Sequence, residues 1–421
     1  VVKEMHFLIA KNLILNSPLQ VNQIFENCLL AGSRMQVDAI KYAIESAKSA
    51  ANKFAWPEVI VILNKVSYLS STASQEQNDQ ISFLSALAFR GVGGQENRDQ
   101  ARNLALSLVE SQHIDLFDVL YLYLETSFEE KQKDDLQQIV TQVEEWKKGI
   151  KLEGLSEPLS EFYRISAEAE LMGRNRDRIA YRKGMNAVRV VVENFSPSTD
   201  QEGIQQKRLL SFIIQSLAID YSFEQNIDKK TESLIEELFS QSEELKKEVN
   251  DLQGLAINLG SRGSYHLFTT KKISIAREFL SRDLELCEQM GTRGDMSAIY
   301  NKLSMCDWID ANECTDADEK KLLQNNALQN AEKAFRLAVE LDREGDRAFA
   351  GFAVLEYARI NSNWPLIDEV GKNLDDEELW QIVLSSYAKS RVLEECKNLK
   401  GKGEWKWLES LQAKVSTSMD G

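Results

Sequence analysis

Proline occupies only Pro18, Pro57, Pro158, Pro197 and Pro365 in a chain of 421 residues. Because proline removes a backbone donor and clashes with the preceding helical turn, the long proline-free stretches are open to helix. Apolar residues recur at helical spacing nearly from end to end. No sustained two-residue alternation marks a strand, and no Asn-Gly or Asp-Gly pair sits between two such runs. The pattern predicts roughly twenty helices with short connections, which must pack as antiparallel hairpins. A chain this long exceeds what one compact core serves, but a solenoid escapes that limit because each repeat packs only on its neighbours. The predicted class is all-α, an α-solenoid of helical hairpins.

The expected breaks carry Gly, Pro, Ser or Asn. They fall at Asn16 to Pro18, Gly32 to Ser33, Ser70 to Gln75, Gly91 to Gly94, Gly154 to Pro158, Ser196 to Gly203, Asn250 and Gly291 to Gly294. Later breaks fall at Asn312 to Asp316, Gly345, Asn361 to Pro365 and Gly401 to Gly403.

One phrase recurs between them. Residues 255–267 read LAINLGSRGSYHL, 271–304 read KKISIAREFLSRDLELCEQMGTRGDMSAIYNKLS, and 326–360 read NALQNAEKAFRLAVELDREGDRAFAGFAVLEYARI. Each run sets a helix rich in small residues beside a turn with Gly. Gly260, Ala276, Ala298, Ala331, Ala334 and Ala338 let helix axes approach, while Leu, Phe and Tyr fill the grooves.

These motifs resemble tetratricopeptide (TPR) repeats. The resemblance is carried by Ala256, Asn258, Leu259 and Gly260, then Ala276, Glu288, Gly291, Arg293 and Ala298. It implies a right-handed superhelix whose groove is lined by the first helix of each pair. Two departures stand out. The family's tyrosine three residues after Leu-Gly is Gly263, and about four extra residues separate Gly260 from Ala276, so that first helix is expected to be one turn longer. Gly291 and Gly345 lie 54 residues apart, more than one repeat of about 34. The polar stretch 312–325 is expected to hold the excess. The expected organisation is a helical lead-in over 1–74, degenerate repeats over 75–245, TPR-like repeats over 246–361 and capping helices over 362–421.

A second resemblance covers 30–66, LAGSRMQVDAIKYAIESAKSAANKFAWPEVIVILNKV, with small residues Ala39, Ala43, Ala47 and Ala50. It is similar to the segment that opens the helical-repeat region of bacterial STAND-type signal-transducing ATPases, and Met5 to Ala10 resemble the helix just after their winged-helix part. Val59 stands where that family usually has Ala. The resemblance implies the sensor arm of a larger protein, continuous with an upstream ATPase domain. The chain carries no phosphate-binding loop of its own, since Gly91-Val92-Gly93-Gly94 lacks the lysine.

Formal charge is −16, which disfavours nucleic acid. No apolar run reaches the length of a membrane span, and the first fifteen residues lack the pattern of a signal peptide. Cys28, Cys287, Cys306, Cys314 and Cys396 form no CxxC pair. They read as reduced thiols in a cytoplasmic compartment. His6, His113 and His266 are scattered, and no nucleophile or metal motif is present. No enzyme activity, metal or cofactor is therefore expected.

Recognition remains. With Leu259-Gly260 as register, the groove positions are Asn258, Arg262 and Tyr265, then Asn301, Lys302, Met305 and Trp308, then Glu356, Arg359 and Asn363. Asn and Arg give directional hydrogen bonds, and Tyr and Trp are frequent anchors; Tyr265 and Trp308 equally suit a core role. A basic cluster of Arg174, Arg176, Arg178, Arg182, Lys183 and Arg189 sets Arg178, Arg182 and Arg189 near one stripe. That stripe suits an anion or acidic partner, or pairing with nearby carboxylates. Trp405 and Trp407 suit a terminal cap. The expected function is a non-catalytic sensor that binds a protein, peptide or small inducer. The alternatives are a free-standing scaffold or adaptor and a peptide-binding regulator.

Overall fold

The computed structural model describes residues 1–128, 132–173, 177–224, 226–341, 344–373, 397–399 and 409. Among them there are eighteen α-helices and no strand. The chain is an all-α solenoid of helical hairpins. It divides into two compact units, Val1–Asp220 and Tyr221 onward.

The first unit runs α1 (Val2–Asn16), α2 (Val21–Ala31), α3 (Gln36–Ala51), α4 (Trp56–Asn64), α5 (Gln75–Val92), α6 (Gln95–Ser107), α7 (Leu116–Phe128), α8 (Lys133–Gly149), α9 (Ser156–Met172) and α10 (Arg178–Glu193) into α11 (Asp200–Ser222). From α1 to α10 each helix packs on the next, and α3, α5, α7 and α9 also touch in succession. That second ladder is what stacks hairpins into a solenoid. The small residues Ala39, Ala43, Ala47 and Ala50 are all buried along α3, so the face expected to be close-packed is. Val59 is also fully buried. Helix starts follow capping chemistry. Ser74 and Gln77 form a reciprocal capping box at α5, and Asp177 accepts from two backbone N–H groups of α10. At the centre of this unit Tyr163 donates to Glu125, which also pairs with Arg90 at 3.2 Å.

The second unit runs α12 (Lys229–Glu248), α13 (Leu252–Tyr265), α14 (Ile273–Met290), α15 (Arg293–Glu313), α16 (Ala317–Glu340), α17 (Glu344–Ile360) and α18 (Trp364–Asn373). Here α15 touches α17 across their shared partner α16. The extra residues between Gly260 and Ala276 form a π-helical turn, His266–Thr270, that prolongs α13. Lys271, left-handed at φ 56°, ends it. The excess between Gly291 and Gly345 lengthens α15 and α16 to 21 and 24 residues, leaving Cys314–Asp316 as the connection.

Gly260 and Gly263 explain the departure from the repeat pattern. A Cβ at 263 would sit 2.8 Å from Leu280 Cγ and 3.3 Å from the Ala276 carbonyl oxygen, and a Cβ at 260 would strike the Asp283 carboxylate. Helix α14 lies where the family's tyrosine would project. Ala276, Ala331, Ala334 and Ala338 are fully buried; Ala298 is only half-buried. No helix among the described residues is long and apolar enough to cross a membrane. Trp405, Trp407 and the break at 401–403 lie outside the described residues, as does most of the segment after 373.

Candidate functional site

Asn258, Arg262 and Tyr265 do share one stripe of α13, but it is turned to α12. Asn258 is fully buried and donates from Nδ2 to the Phe239 carbonyl at 3.1 Å. Arg262 donates to Glu236 at 2.6 and 2.9 Å and to Glu243 at 3.4 Å, and stacks over Phe279 with its centre 4.4 Å from the ring centroid. Tyr265 is buried near Phe239 and His266. Burial, with Glu232 and Glu236 adding to it, pushes its phenol up to about 12. His266 stacks on Phe279, and its Nε2 lies 2.9 Å from Glu236 Oε1. This network ties α12, α13 and α14 together.

With α12 covering that stripe and α14 lying against Gly260 and Gly263, the open side of α13 is Ile257, Ser261, Ser264 and, on the π-helical turn, Phe268. The spacing of four, three and four keeps these residues on one face. Phe268 is 46% exposed, a large amount for so apolar a ring.

The open side of α15 is Ala298, Asn301, Met305, Ile309 and Asn312. Its other sides are occupied. Asp307 and Asp310 take Arg277 of α14, the Ser297 hydroxyl donates to the Ala334 carbonyl of α16 at 3.0 Å, and Trp308 stacks on Tyr357 of α17 with centroids 4.5 Å apart. Asn301 is half-buried on this side. Its Oδ1 is buried and has no hydrogen-bond partner, as is also true of Asn258 Oδ1. Trp308 instead fills the contact between first helices. Lys302 is drawn into the helix layer. Burial pushes its ammonium down, against the pull of Asp283, Asp346 and Asp295.

On α17 the open residues are Phe349, Phe352, Glu356, Arg359 and Ile360, with Phe349 48% exposed. Glu356 and Arg359 are half-buried at its C-terminal part. Asn363 is exposed, and its Oδ1 accepts from the Leu366 N–H at 3.4 Å, so it helps start α18. Ile257, Phe268, Phe349 and Ile360, none of them singled out by the sequence pattern, are exposed on these helices. The signal was present as apolar residues repeating on a face other than the one carrying the small-residue phrase. The stripe set by the Leu259-Gly260 register faces α12 instead of solvent.

The basic stripe of α10 is internally neutralised. Arg178 donates to the Asp220 carbonyl at 3.3 Å, Arg182 to the Asp220 carboxylate at 2.5 Å, and Arg189 to Glu193 at 2.7 Å. Arg174 and Arg176 lie outside the described residues. Among the described residues no group of His, Cys, Asp and Glu could hold a metal ion. Cys28, Cys287 and Cys306 are buried, and burial pushes their thiols up to about 11, 12 and 11. Such thiols stay protonated and inert near neutrality. Cys396 lies outside the described residues.

No protein-family model matches the chain, and no curated protein matches it. Among solved structures it is similar to a Rap protein complexed with competence and sporulation factor, at 7% identity and TM-score 0.43, over 91% of this chain and 98% of that one. It is similar to the apo form of RapI at 13% identity and TM-score 0.40, over 90% and 97% of the two chains. A circular tandem repeat protein aligns at 10% identity and TM-score 0.22, over 100% of this chain and 97% of that one.

Proposed function

We propose that this chain is a recognition module whose second unit docks a protein segment or peptide along the open sides of α13, α15 and α17. One observation carries the reading: α13 and α17 expose the apolar side chains Ile257, Phe268, Phe349 and Ile360, and α15 leaves Met305 and Ile309 partly exposed. A soluble helix ordinarily turns a polar face outward, and exposed apolar patches rimmed by polar residues mark interaction sites. Apolar side chains spread over three helices suit a peptide strand or a short helix better than a small inducer. Phe268, Met305 and Phe349 supply the apolar anchors, the half-buried Asn301 a polar side chain between them, and Glu356 and Arg359 the charged end.

The reading is non-catalytic. No nucleophile, base and orienting group have been brought together along these faces, and the residues present suit binding. Continuity with an upstream ATPase, as the 30–66 phrase suggests, is a finer form of the same proposal in which peptide docking biases a nucleotide-dependent switch. The test is binding of a partner recovered from the native host, with Phe268→Ala and Phe349→Ala each weakening it while the melting curve is unchanged. Unaltered affinity in both variants would sink the proposed surface.

A further inference from the structure

The first helix leaves one apolar side uncovered. On α1 the residues Phe7, Ala10, Leu13 and Ile14 pack into the core shared by α2 and α3. The opposite side repeats apolar residues at Val1, Met5, Leu8 and Leu15, with Asn12 at the fourth position. The steps of four, three, four and three are those of a coiled-coil seam. Leu8 is 59% exposed and Leu15 77% exposed; Val2 and Ile9, beside the seam, are exposed as well. A helix apolar on both sides is the composition of a buried helix, yet only one side of α1 is covered.

Flanking charges indicate what fits there. Glu4 and Lys11 occupy the same flank of the seam, seven residues apart. If a second α1 lay parallel, heptad geometry would set Glu4 beside Ile9 of the other copy and Lys11 beside Asn16. If it lay antiparallel, Glu4 would face Lys11 of the other copy twice, once at each end, and Met5 would layer on Leu8. Both charges are accessible for this: the Glu4 side chain is half exposed even while pairing with Arg34. We propose that α1 is a self-association surface on which a second copy of this chain docks antiparallel, Met5 against Leu8 and Glu4 against Lys11.

A single helix pair of this length buries less than the roughly 800 Å² per partner of a standard interface, so the dimer is weak, with Kd on the order of 10–100 µM. Sedimentation equilibrium of the full chain across that range tests it. The wild type is expected to pass from monomer to dimer. Leu8→Glu, at a site too exposed to disturb folding, is expected to weaken association at least about tenfold, with circular dichroism and melting unchanged. Lys11→Glu is expected to weaken it, and the double variant Glu4→Lys/Lys11→Glu to restore it. A wild type that stays monomeric throughout overturns the proposal and leaves the face to a partner of another sequence. Dimerisation unaffected by Leu8→Glu, or a charge exchange that fails to restore it, overturns it equally.

Discussion

The carboxylate of Asp283 on α14 lies directly against the Cα of Gly260 on α13, in the space that a side chain at 260 would fill. Asp283 is buried and takes a thiol contact from Cys287 at 3.6 Å. Adding one methyl at this contact forces helix axes or the carboxylate apart. Gly260→Ala should therefore cost about 1–3 kcal/mol, despite alanine's better helix propensity. Chemical denaturation of the two proteins checks this, and equal or greater stability in the variant would show that α13 and α14 are not so closely apposed.

The same carboxylate makes stability depend on pH. Burial pushes Asp283 up to about 7 in the folded chain, with Lys302 opposing and Asp295 adding to it. An acid whose folded value is raised binds its proton more tightly folded than unfolded. Its contribution is full below about pH 4, falls as pH rises, and is gone above about pH 7; the difference is on the order of 4 kcal/mol. Asp283→Asn should remove this slope, so the variant's melting temperature should gain on the wild type between pH 4 and pH 7. Glu161 should act in the opposite sense. Arg164 and Lys147 hold its carboxylate down at about 2, against the effect of burial. Its contribution is present above about pH 4.5 and lost as pH falls toward 2, so Glu161→Gln should narrow the difference from wild type on acidification. Parallel melting series for both variants would separate the two effects.

Ala276 and Ala334 have no exposed surface, and the Ala334 carbonyl also accepts the Ser297 hydroxyl. Ala276→Asp or Ala334→Asp places an unpaired charge between packed helices. Each should cost several kcal/mol, about 3 or more, with unfolding spreading to adjoining hairpins. Hydrogen exchange of α13 to α17 would register it, and unchanged protection would contradict the packing.

Asn301→Ala should behave differently. The amide oxygen has no partner to lose, so stability should change little, whereas affinity for a docked segment should fall by about tenfold or more. Asn258→Ala is the counterpart: it removes a buried hydrogen bond to Phe239 and should destabilise by about 1–2 kcal/mol. Titration calorimetry and thermal melting of both variants distinguish a recognition amide from a structural one.

The contrast between Asn258 and Asn301 marks how far the sequence was legible. Helical class, most helix breaks and the small-residue contacts were readable because proline, glycine and 3.6-residue spacing act locally. The breaks capped by Asp177 and Asp228 were less visible, since a single aspartate before a helix is a faint signal. Which side of a helix faces solvent depends on where its neighbours lie, and one sequence does not state that. Hence Asn258, Arg262 and Tyr265 share a stripe that faces α12, while Ile257 and Phe268, one or a few positions away, lie on the exposed side. Trp308 shows the same limit, because only its stack with Tyr357 distinguishes a contact between helices from an exposed anchor.

Photo-crosslinking from the proposed surface tests the central claim most directly. A photoreactive phenylalanine analogue would replace Phe268 or Phe349 in the full chain, and Ile179 on exposed α10 as a control, each irradiated in lysate of the native host. The predicted result is one and the same polypeptide captured from positions 268 and 349 and not from 179, with capture reduced by Asn301→Ala. Unrelated adducts at 268 and 349, the same adducts at 179, or none at all would contradict docking along α13, α15 and α17.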